Sequence, residues 1–64
     1  MRLDDALKRA VQERNLRMIV KVVDLLRFKS GLTYAQTFAF VNQVTGIDEA
    51  AWEGLLYEAD NEVF

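Results

Sequence analysis

The chain has 64 residues, a net charge of −2, and neither Cys, His nor Pro. That length supports one domain over residues 1–64. The missing residue types exclude disulfides, thiolate nucleophiles, imidazole bases and Cys/His zinc sites, and with them Ser-His-Asp and Cys-His catalysis.

With 52% apolar and 28% charged residues, the chain is too apolar for intrinsic disorder. A domain of this size buries only about 60% of its unfolded surface. Small scaffolds gain stability from disulfides, metals or association. The expectation is therefore a protein partner or a second copy. Met1–Asp5 is polar and acidic, unlike the basic opening of a signal peptide. No stretch reaches the length of a spanning helix, because Lys21 and Asp24 interrupt the most apolar one. A cytoplasmic protein with no membrane contact is expected.

The fold expected is all-α, a small bundle of three to four helices in two αα-hairpins. The first helix covers about 3–14. Leu3, Ala6, Leu7, Ala10 and Val11 share one face, and Asp4 and Asp5 complement the dipole of its first turn. The second covers about 16–29. Its polar positions, Arg17, Lys21, Asp24 and Arg27, form a narrow stripe on a helix otherwise apolar around its circumference. Such a helix belongs at the centre of a fold. The apolar faces of these two segments are out of phase, so the reading favours a break at Glu13–Asn15 over one kinked helix. Asn15 serves there as an N-cap or a left-handed residue.

Gly31 is expected to end the second helix in the left-handed region. Thr33-Tyr34-Ala35-Gln36 reads as a capping box for a third helix over about 34–44. Tyr34, Phe38, Val41 and Val44 form its expected core face, with Phe40 at the edge. Gly46 stops it. Asp48 caps a fourth helix over about 49–60, with Ile47 and Trp52 as a hydrophobic staple. Trp52, Leu55, Leu56 and Ala59 form its core face, which Val63 could extend. Gly54 inside that helix costs about 1 kcal/mol against Ala, a cost that another helix packed closely there would explain.

Ala6–Val11, the Asn15 turn and Val22–Leu26 resemble the helical hairpin of an ankyrin-type repeat. The resemblance covers less than half the chain and lacks the Thr-Pro-Leu-His turn, so it implies no function.

Charge is segregated. The first thirty residues hold all eight bases against four acids, a net of +4, while the remainder holds six acids and no base. A dipolar surface of this kind steers a partner or favours antiparallel self-association. Ser30–Ile47 carries no charge at all. Charge depletion marks interface cores, which points to the outer positions of the third helix: Gln36, Ala39, Asn42 and Gln43. The remaining partner-binding candidates are the basic face Arg14, Arg17 and Lys21, the acidic face Glu49, Glu53 and Asp60, and Tyr57, which lies off the core face of its helix.

Val44–Trp52 is similar to the turn and second helix of a DNA-binding helix-turn-helix, but that helix would present Glu49, Glu53 and Asp60 to phosphates. Nucleic acid enters only as an alternative, through the basic first hairpin or through acidic mimicry by the last helix. Isolated glycines exclude a phosphate loop, and so small a bundle leaves little pocket volume for a substrate. The expected role is a non-enzymatic protein-interaction module, an adaptor, inhibitor or regulator, without cofactor, metal or small-molecule substrate.

Overall fold

The computed structural model describes residues 2–63, and of Val63 the backbone only. Four helices account for most of it: α1 (Leu3–Gln12), α2 (Leu16–Asp24, continued by a π-helical turn over Leu25–Lys29), α3 (Tyr34–Thr45) and α4 (Glu49–Val63). There is no strand among the described residues. The chain is an all-α bundle built from two helical hairpins.

The first break falls at Glu13–Asn15, where the phase change requires it, and α1 ends at Gln12, two residues short of the expected end at 14. Arg14, not Asn15, takes the left-handed conformation, at φ +53°. Asn15 is the N-cap, its side-chain oxygen accepting from Met18 N at 3.2 Å. The Arg14 amide bonds back to Val11 O and the Asn15 amide to Ala10 O, which occupies two of the carbonyls that the end of α1 leaves free.

The other helix ends follow their local chemistry. Gly31 and Gly46 have φ +71° and +76°, a region that a side chain makes costly. Thr33 and Gln36 complete the capping box in both directions, at 3.2 and 2.9 Å. Asp48 accepts from Ala51 N at 2.8 Å. α3 and α4 run on to Thr45 and Val63, beyond the expected ends at 44 and 60.

α2 is central and packs on α1 and α4, while its π turn meets α3. The core is Leu7 and Ala10 from α1, Ile19, Val22 and Leu26 from α2, Val41 from α3, and Trp52, Leu55 and Ala59 from α4. Ile47 packs on this cluster, as a staple position should.

Three expectations about packing fail, each for a physical reason. Tyr34 is not core but 39% exposed, and Thr37 is buried in its place. Thr37 tolerates this because its hydroxyl donates to Thr33 O at 2.8 Å, leaving only its methyl to pack. Gly54 faces open space: a Cβ built on it would meet no atom within 4 Å, so close helix contact does not explain it. The apolar circumference of α2 is not fully covered either. Leu25 is 42% exposed and Phe28 78% exposed, because α1, α3 and α4 leave one side of the helix free.

Candidate interaction surface

The uncovered side of α2 carries a largely apolar depression of about 360 Å³, lined by Lys21, Asp24, Leu25, Phe28 and Lys29. Its local origin is the sequence spacing Lys21–Leu25–Phe28, positions i, i+4 and i+7 of one helix face. The π turn contributes as well. The Ser30 amide bonds to Leu25 O, five residues back, and this wider ladder turns the chain less per residue over Leu25–Lys29. The result is an exposed leucine and phenylalanine with the ammonium groups of Lys21 and Lys29 and the single carboxylate of Asp24 around them.

On α4, Glu53, Tyr57 and Asp60 repeat the i, i+4, i+7 spacing with the opposite charge. All three are exposed, and Tyr57 is 72% exposed. Its carboxylates are placed by the helix that buries Trp52, Leu55 and Ala59 on the other side. Glu53 also touches α3, accepting a long hydrogen bond of 3.5 Å from the Tyr34 hydroxyl. Partial burial, reinforced by Glu53 and Glu49, raises the Tyr34 phenol above its ordinary pKa of 10.0.

The candidate residues separate into those occupied within the molecule and those left free. Arg14 grips Glu58 with both guanidinium arms, Nε to Oε2 at 3.0 Å and Nη2 to Oε1, tying the first hairpin to α4. It stands apart from Arg17 and Lys21 in that respect. Those two form no ion pair among the described residues, and the same holds for Arg27 and Lys29. Glu49 and Asp60 are exposed and likewise unpaired there.

The charge-free face of α3 is exposed at Gln36, Ala39, Asn42 and Gln43. Two of these are committed to the helix ends. Gln36 closes the capping box, and Asn42 Nδ2 donates to Ile47 O at 2.9 Å across the α3–α4 turn. Those bonds give the polar, uncharged stretch a structural reason independent of any partner. Gln43 borders a wide depression of about 690 Å³ with Arg2, Lys8 and Phe40.

The sequence reading missed Leu25, Phe28 and Lys29. A signal for them existed: α2 is apolar on more sides than three neighbouring helices can cover. No group of three or more metal-ligating side chains occurs among the described residues. No helix there is long and apolar enough to cross a membrane. The fold and surface thus define a small four-helix bundle carrying two oppositely charged stripes, each with an exposed aromatic. Comparison with protein-family models, curated proteins and solved structures finds no match to this chain.

Proposed function

We propose that the chain is a non-enzymatic protein-interaction module that pairs with a second copy of itself. The α2 stripe of one protomer, Lys21, Leu25, Phe28 and Lys29, lies against the α4 stripe of its partner, Glu53, Tyr57 and Asp60. The observation that carries this reading is the complementarity of the stripes, like in spacing and opposite in charge around exposed aromatics. A two-fold dimer makes the contact twice, which is the commonest symmetry of soluble assemblies. Phe28 and Tyr57 provide large, stiff anchors, and the flanking charges set register and orientation.

A role as adaptor or regulator follows from assembly. An acidic, apolar helix of another protein would compete for the α2 stripe by the same contacts. The nucleic-acid alternatives use Arg14, Arg17 and Lys21, or the acids of α4; engagement of Arg14 by Glu58 leaves the first of them two cations on that face.

Sedimentation equilibrium from micromolar to millimolar concentration tests the proposal. The expected mass rises from 7.4 kDa toward twice that value, and added salt shifts the rise to higher concentration. A constant 7.4 kDa throughout overturns self-pairing.

A further inference from the structure

The two stripes are not isolated from each other. Between α2 and α4, with Tyr34 and Thr37 of α3 also lining it, lies a cleft of about 220 Å³. Asp24 lines both this cleft and the α2 depression that holds Leu25 and Phe28. Asp60 of the α4 stripe lines the cleft, and so does Tyr34, whose hydroxyl donates to Glu53 of the same stripe. The α2 stripe, the cleft and the α4 stripe therefore form one continuous surface.

Size and composition fit this cleft to a seam between copies. Its volume falls below the range of about 300–1,000 Å³ typical of small-molecule sites. Val20, Val23 and Leu56 line it and are only half-buried, so apolar area is left in water. A specific interface takes about 800 Å² from each partner, about a fifth of the 4430 Å² that this chain exposes. A patch of that size is wider than one helix stripe, and the cleft joins the two.

Charge complementarity runs across the cleft. Arg27 lines it from α2 and Asp60 from α4, and both are exposed. Neither forms an ion pair among the described residues. A two-fold axis laid along the cleft carries the α2 side of one protomer over the α4 side of the other. Groups that line opposite sides of the cleft in one chain then meet between chains, and each contact is made twice. Asp24 lies on the same side as Arg27. Of these two, Arg27 is the one that attracts an acid across the cleft.

We infer that the cleft between α2 and α4 is the two-fold axis of the self-paired chain, closed by an ion pair between Arg27 and the partner's Asp60. Val20, Val23 and Leu56 lose their remaining water beneath it. Resting on the self-pairing proposed above, this arrangement adds Arg27 and the cleft walls, which belong to neither stripe. A planar guanidinium suits the position, because it pairs with carboxylates in fixed geometry and anchors interfaces more often than lysine does.

Charge reversal across the cleft tests this in the full chain. Sedimentation equilibrium gives the dimer Kd of the wild type, Arg27→Asp, Asp60→Arg and the double variant. Each single reversal sets like charges together twice and should raise Kd about tenfold or more. The double variant restores opposite charges and should return to within about threefold of the wild type. Lys8→Glu, exposed on α1 and outside the cleft, alters net charge as much as Arg27→Asp does. It should also stay within about threefold of the wild type. Circular dichroism should be unchanged in all four variants, since every altered site is exposed. As a second readout, the methyl peaks of Val20 and Val23 should shift as the wild type is concentrated through its Kd. A wild type that stays monomeric overturns the self-pairing itself, and the axis with it. A wild type that pairs, with single reversals no weaker than Lys8→Glu, a double variant no tighter than the singles, or unmoved methyl peaks, overturns the axis alone.

Discussion

Gly54→Ala isolates one term in the stability of α4. Gly54 lies inside a helix of fifteen residues, where glycine costs about 0.8–1.0 kcal/mol relative to alanine through backbone entropy and lost helix propensity. The added methyl meets nothing within 4 Å, so neither a clash nor new packing enters the sum. Gly54 borders a shallow groove with Val11, Ala51 and Glu58. The variant should gain about 0.8–1.0 kcal/mol. With a urea m-value of about 1 kcal/mol/M for so small a domain, the midpoint should rise by about 1 M at unchanged slope. The melting temperature should rise by about 4–8 °C. Circular dichroism and Trp52 fluorescence should report the same transition. The control Ala51→Gly, exposed on the same helix, should lose a similar amount. A midpoint for Gly54→Ala that stays put or falls refutes the reasoning, and would mean that the bare backbone at Gly54 is held by a contact absent from the monomer.

Other perturbations check separate parts of the structure. Arg14 combines a left-handed backbone with the Glu58 clasp. Arg14→Gly should be more stable than Arg14→Ala by roughly 1 kcal/mol, reversing the usual order of these residues, because both lose the exposed ion pair but only alanine keeps the backbone cost; urea unfolding of the two variants reads this directly. Ile19→Ala, at a fully buried site, should cost about 2–5 kcal/mol, enough to leave a substantial unfolded fraction by circular dichroism at 25 °C. The Tyr34 phenol should titrate above 10.0 in the ultraviolet difference spectrum between the wild type and Tyr34→Phe, and Glu53→Gln should lower it. Because the raised value favours the neutral phenol in the folded state, its contribution is intact below pH 10.0. It is lost as pH rises from 10.0 through the folded-state value.

What could be read from the sequence was chiefly local. Asn15, Gly31, Thr33, Gly46 and Asp48 mark helix ends through local bonds or a left-handed backbone, so their chemistry needs no tertiary context. The face of α3 was harder to place. Phe38, Ala39, Phe40 and Val41 are consecutive apolar residues, so the period is weak, and Tyr34 carried undue weight at the helix start, where it stays 39% exposed. A threonine at 37 is buried only because its own helix supplies an acceptor, a feature that hydrophobicity does not encode. On α2 the near-continuous apolar pattern fixes centrality but not which side stays free; that depends on where three other helices settle. Half of the α3 face singled out by its lack of charge proved to serve capping through Gln36 and Asn42. The depression that Val20 of α2, Thr37 of α3 and Leu56 of α4 line is formed by three helices together, so no single segment announces it.

The most direct test of self-pairing uses charge exchange. One variant carries Lys21→Glu and Lys29→Glu, the other Glu53→Lys and Asp60→Lys. Each alone sets like charges against each other at both contacts of the two-fold dimer. Mixed in equal amounts, they meet opposite charges at both contacts again. Sedimentation equilibrium should show each variant alone at the monomer mass of about 7.4 kDa and the mixture at twice that value, under conditions where the wild type also pairs. Variants that associate alone as the wild type does, or a mixture that stays monomeric, would contradict the pairing of the α2 and α4 stripes.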